Sequence, residues 1–249
     1  MVKSVGNGDH AVVCLHGWFG WAEGWGYFPD AVDGGRFTYY FPDMRGYGAR
    51  RDETGDFTMK EYAADALAVL DEAGVERFSI VGHSMGGKAA AALLALAGDD
   101  RVNALIGIAP VSPAPFPLDD DGRTLFFDAP AQEGNRRGII DFTTGSRNGA
   151  GWLDAMTRNS LATSTVEAFA GAVASWADED YTGDVGTPST PVTCLVGEND
   201  PALTVEYMDA FWVKQYPNVT VETLPGCGHY PMHEIPVWLA TRIEGILGA

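Results

Sequence analysis

Residues 78–98 read "FSIVGHSMGGKAAAALLALAG", an apolar run, a polar glycine-rich turn around Ser84, and an alanine–leucine segment. Gly82-His83-Ser84-Met85-Gly86 has the form G-x-S-x-G. Between a strand and a helix, this pattern holds a serine in a strained turn, and the glycines let the two backbones approach. The dipole at the start of the helix favours negative charge developing beside the hydroxyl. The same letters also describe a purely structural turn between a buried strand and a buried helix.

Working outward, short β-branched runs alternate with longer helical patterns, which predicts an α/β fold with a mostly parallel central sheet flanked by helices. The strand candidates are 11–15, 37–41, 78–81, 104–109, 192–196 and 219–224. Several are apolar almost throughout, as strands buried on both faces are. Thr58 and Glu61 form a capping-box pattern opening a helix that ends at Gly74. Further helices follow Ser84, run near Thr204–Tyr216, and close the chain near Pro236–Leu247. Residues 113–185 break the rhythm. They open with Pro113, Pro115 and Pro117 and then show helical spacings at Trp152, Leu153 and Met156, and at Val166, Phe169, Val173 and Trp176. The expected division is a core of 1–112 and 186–249 with a helical lid inserted at 113–185.

Composition narrows the function. The chain has 249 residues, 46% hydrophobic and 20% charged, in the ordinary globular range. Its 34 acidic against 16 basic residues give a formal charge of −18, which disfavours nucleic acid and anionic membranes as partners. No leader-like or membrane-spanning run is evident, so a cytoplasmic protein is expected. Cys14, Cys194 and Cys227 show no CxxC spacing and read as structural thiols, with no metal site expected.

A serine hydroxyl needs a base to take its proton. Of the five histidines, His229 lies in the glycine-rich loop "GCGHYPMHEIP" after the last strand candidate; His233 is its rival and is expected to begin a helix. His83 is expected to face away from Ser84 in a structural role, and His10 to be exposed. An orienting carboxylate is supplied by Asp200 in "LVGENDP", with Pro201 holding it in an extended backbone. Glu198 and the trio Asp119–Asp121 are the alternatives, the trio reading as a solvated charge run. Oxyanion donors are expected in the backbone N–H groups of Met85, next after the serine, and Trp18, in "LHGWFGW".

With "LHGWFG", "FPDMRGYGAR", "VGHSMGG", "LVGENDP" and "GCGHYPMHEIP" in this order, the chain resembles the α/β-hydrolases of the compact kind with a helical lid. The resemblance implies a serine esterase or lactonase with Ser84, Asp200 and His229 as triad and no cofactor. It also implies a structural role for the Asp43–Arg45 pair. Serine at the elbow separates the chain from haloalkane dehalogenases and epoxide hydrolases, which carry aspartate there. The aromatic residues near the motifs suggest a small, apolar or aromatic substrate, with Phe19, Trp152 and Tyr230 lining its pocket. Diketone C–C hydrolysis, cofactor-free perhydrolysis and a hydrolase-derived ligand receptor remain open, as do monomer and homodimer.

Overall fold

The computed structural model describes residues 2–248. Seven strands form one sheet: β1 (Lys3–Gly6), β2 (His10–Leu15), β3 (Phe37–Phe41), β4 (Phe78–His83), β5 (Val102–Ile108), β6 (Val192–Gly197) and β7 (Val219–Leu224), in the spatial order β1-β3-β2-β4-β5-β6-β7. All neighbours pair parallel except β1, which runs antiparallel to β3 along the edge. β1 was not among the expected strands: its four residues, "KSVG", alternate between half-buried and exposed and carry no apolar run. Every residue of β4 is buried, because neighbouring strands and flanking helices cover both of its faces.

The helix Met59–Glu72 starts at Thr58, whose hydroxyl accepts the Glu61 N–H at 3.1 Å. The Glu61 carboxylate reaches past Thr58 to the N–H groups of Asp56 and Phe57, so the box closes on the preceding loop. This helix packs beside Met85–Ala97, the helix that follows Ser84. The helix Pro236–Leu247 packs against the short helix Phe28–Ala31, and Val205–Gln215 against β7.

Between β5 and β6 the chain first runs irregularly through its prolines. It then forms the helices Asp120–Asp128, Glu133–Thr143, Ala150–Thr163, Val166–Asp178 and Thr182–Val185. Phe169, Val173 and Trp176 face inward and join the core of the sheet, whereas Val166 is exposed. Each large side chain buried this way contributes about 1.5–3 kcal/mol, so the insert is fastened chiefly by apolar contact. A cation adds to this. Lys88, one turn after Ser84 and fully buried, donates to the carbonyls of Ala114 at 3.3 Å, Trp176 at 3.2 Å and Glu179. Burial lowers its pKa to about 8, against the opposing pull of the Glu179 carboxylate.

Three local expectations change. Asp43 and Arg45 do not pair: Asp43 accepts the N–H groups of Ala22 and Ala49, while Arg45 bonds Asp65 at 2.8 and 2.9 Å. Both are structural: Asp43 ties its segment to the loop after β2, and Arg45 ties it to the helix Met59–Glu72. Asp119 is more than a solvated charge, since it caps the helix Asp120–Asp128 by accepting the Gly122 N–H at 2.7 Å. His10 is half-buried, with Nε2 2.9 Å from the Ser79 hydroxyl. All three cysteines are buried and unpaired. Among the described residues, no helix is long and apolar enough to cross a membrane.

Candidate active site

Ser84 sits between β4 and its helix with φ 55° and ψ −120°, a positive φ for a residue that carries a Cβ. Such a backbone costs energy and persists only where its surroundings hold it. Here the Ser84 N–H donates to the Ile108 carbonyl at 3.0 Å, and its own carbonyl accepts from Gly87 and Val111. The flanking glycines are required by contact. A Cβ on Gly82 would strike the Gly86 carbonyl, and one on Gly86 would strike the Leu15 carbonyl at the end of β2. That crossing brings the loop after β2 directly onto the serine.

In this loop, a Cβ built on Gly17 would lie 2.7 Å from His83 Nδ1 and 3.1 Å from Ser84 Cβ. Trp18 follows. Neither its N–H nor that of Met85 meets an acceptor among the described residues. Met85 opens its helix, where backbone donors have no partner within the helix. The loop is pinned by His16: Nδ1–H donates to the Gly17 carbonyl at 2.9 Å, and Nε2 accepts the Met44 N–H at 3.2 Å. Burial lowers the pKa of His16, which suits this neutral tautomer. A Gly17→Ala variant is therefore expected to push the Trp18 N–H off its position. Steady-state kinetics on a p-nitrophenyl ester should show kcat falling by roughly 10²-fold with KM little changed. An unchanged kcat would show that the loop yields without consequence.

Asp200 and His229 arrive from the ends of β6 and β7. Their loops interlock: a Cβ on Gly197 would strike the Gly228 carbonyl, and the Asn199 N–H donates to the Cys227 carbonyl at 2.9 Å. His229 Nδ1–H donates to Asp200 Oδ2 at 2.6 Å, with both side chains buried. Asp200 Oδ1 accepts the N–H groups of Ala202 at 2.9 Å and Leu203 at 3.2 Å. Ser84 and His229 line the same cleft. No hydrogen bond joins the serine hydroxyl to the imidazole among the described residues; catalytic bonds of this kind often tighten only around substrate.

The remaining histidines and acids have other tasks. His83 Nε2–H donates to the His229 carbonyl at 2.8 Å, and burial, followed by the neighbouring His229, holds its pKa well below the usual value. His233 donates to the Gly24 carbonyl at 3.1 Å from the short helix Pro231–Glu234. Glu198 accepts the Gly226 N–H at 2.8 Å. Among the described residues, no group of three or more His, Cys, Asp or Glu is placed to hold a metal ion.

The cleft encloses about 430 Å³ including its open mouth. Phe19 and Tyr230 line it, and Trp18, Phe116, Phe126 and Trp176 supply further aromatic walls. Trp152 does not line it. Its ring packs against Tyr230 at 5.6 Å and His233 at 5.9 Å, and it is Tyr230 that takes the place at the cleft wall. Two supports of that loop escape a reading of motifs. The Thr143 carbonyl accepts the His229 N–H at 3.2 Å, and the Glu234 carboxylate accepts the N–H groups of Gly228 and Tyr230. The Thr143 contact depends on how the insert docks and leaves no trace in sequence. Glu234, four residues past Tyr230 in a short helical turn, follows a local back-capping logic that its spacing displays.

A family model described as the alpha/beta hydrolase fold matches residues 10–236. Among curated relatives, a dihydrolipoyllysine-residue acetyltransferase component of an acetoin cleaving system from Cupriavidus necator is 31% identical over 111 residues. That match takes in 45% of this chain, which thus spans only 28% of that relative's length. Esterase YbfF of Escherichia coli is 26% identical, with 92% of this chain and 90% of the relative covered. An esterase from Exiguobacterium antarcticum superposes with a TM-score of 0.88 at 17% identity, covering 100% of this chain and 95% of the other, a likeness of fold.

Proposed function

The chain belongs to the α/β hydrolase fold family, matched across residues 10–236, and from that premise we propose that it hydrolyses carboxylic esters or lactones through an acyl-enzyme on Ser84. One observation carries the reading. A serine held at positive φ shares an apolar cleft with a histidine whose Nδ1–H is bonded to a buried aspartate. Ser84 Oγ attacks the carbonyl carbon while His229 Nε2 takes its proton, and Asp200 holds the imidazolium that forms. The oxyanion is received by the N–H groups of Trp18 and Met85. Collapse expels the alcohol, protonated by His229. A water deprotonated by the same imidazole then attacks the acyl carbon, releasing the acid and restoring the Ser84 hydroxyl.

The walls support a small substrate that is apolar or aromatic around its carbonyl. Trp18, Phe19, Phe116, Phe126, Trp176 and Leu203 face the cleft, and none of the lining residues is Lys or Arg. The acidic chain further disfavours anionic substrates approaching from solution. A fluorophosphonate probe followed by a panel of esters, lactones and diketones of graded size tests the reading. Covalent labelling with turnover of short apolar esters or lactones is the expected result. Labelling with diketone cleavage alone would replace the substrate class, and labelling without turnover of any member would favour a receptor.

A further inference from the structure

The insert holds a buried cation with no acid beside it. Arg136, 1% exposed, donates to the carbonyls of Ala129 at 3.0 Å and Pro130 at 3.2 Å, and to the hydroxyls of Ser160 at 2.9 Å and Ser164 at 3.2 Å. It makes no ion pair among the described residues. Taking a guanidinium out of water on neutral partners alone is costly, and an apolar side chain would fill the same space more cheaply. What the charge does gain is an aromatic face: Arg136 Cζ lies 3.6 Å from the centroid of the Phe169 ring.

Phe169 is also what holds Trp18. The two rings stack with centroids 4.0 Å apart and planes 16° from parallel, and the Trp18 indole N–H donates to the Phe169 carbonyl at 2.9 Å. A ring has two faces, and at these distances Arg136 and Trp18 must occupy one each. Phe19 meets the edge of Phe169 at 5.3 Å. The loop after β2 is therefore clamped by ring and hydrogen bond from the helix Val166–Asp178, backed by charge from the helix Glu133–Thr143, both remote from Ser84 in sequence.

We propose that Arg136 and Phe169 are positioning residues for the oxyanion site, acting through the stack Arg136–Phe169–Trp18 to hold the Trp18 N–H against Ser84. The proposal rests on the reading of Trp18 as an oxyanion donor. An interaction of this kind is felt in the transition state more than in substrate binding, so its loss lowers kcat and spares KM. The insert then does more than cover the cleft: it completes the loop that the chemistry uses.

The test is steady-state kinetics of Arg136→Met, Arg136→Lys and Phe169→Leu on a p-nitrophenyl ester, each normalised to sites titrated with a fluorophosphonate. Arg136→Met and Phe169→Leu are expected to lose about tenfold or more in kcat per titrated site, with KM within about twofold. That is part of the roughly 10²–10³-fold that a whole oxyanion donor supplies. Arg136→Lys, which keeps a cation over the ring, should recover part of the loss. A melting temperature lowered while kcat per titrated site stays at the wild-type value overturns the proposal, since that is what a merely structural residue does. If Arg136→Met does not fold, Phe169→Leu carries the decision, because it keeps the guanidinium and an apolar side chain. Failure of the wild-type protein to label would overturn the serine mechanism itself, and this proposal with it; labelling with unaltered variants overturns the positioning role alone.

Discussion

Replacement of Ser84 by alanine is expected to lower kcat/KM by roughly 10⁴–10⁶-fold and to abolish fluorophosphonate labelling, with the fold intact. The size follows from the covalent mechanism proposed above: without the hydroxyl, neither His229 nor the proposed oxyanion donors have a nucleophile to serve, and only binding and electrostatics remain. The fold should survive because the turn is held by its backbone. The Ser84 N–H and carbonyl make three bonds, to Ile108, Gly87 and Val111, whereas its hydroxyl makes none among the described residues. Alanine inherits the same positive φ and its strain. Circular dichroism and thermal melting of the variant separate loss of chemistry from loss of structure. Persistent labelling would mean that another residue reacts with the probe.

The sheet is legible in the chain because parallel strands covered on both faces are written as continuous apolar runs, as in β2, β4 and β6. β1 escapes because its pairing with β3 at an edge demands nothing of a four-residue sequence. The site is legible where it depends on strand ends. The candidates Ser84, Asp200 and His229 each stand just past the end of a strand or in the loop beyond it, and local turn chemistry with the chain order of the resembling family is what points to them. It is illegible where two distant segments meet. The helical spacing marks Trp176 as a core residue, and it is one, yet it also forms a wall of the cleft. Trp152, equally aromatic and also in the insert, ends up behind Tyr230. The difference lies in how the insert docks, which is decided by contacts such as Phe169 on Trp18 and Lys88 on the Trp176 carbonyl. No periodicity within the insert encodes those contacts.

Asp200→Asn is expected to cost on the order of 10⁴-fold in kcat, although the substitution preserves shape almost fully. The hydrogen bonds around the carboxylate explain why. Oδ1 accepts two backbone N–H groups, from Ala202 and Leu203, while Oδ2 accepts from His229 Nδ1–H. In asparagine only one of the two positions is an acceptor. Turning the amide oxygen toward His229 would aim its NH₂ at two backbone donors in a buried loop, leaving both without a partner. The favoured orientation therefore keeps the oxygen on Ala202 and Leu203 and presents NH₂ to His229 Nδ1. The imidazole must then accept at Nδ1 and carry its proton on Nε2, the nitrogen that has to take the proton from Ser84. The tautomer is wrong for catalysis while every heavy atom stays in place. The ¹⁵N shifts of the His229 ring should report the proton moved to Nε2, and KM should stay close to wild type. A kcat within tenfold of wild type, with the proton still on Nδ1, would show that Asp200 does not set the tautomer and that another group orients His229.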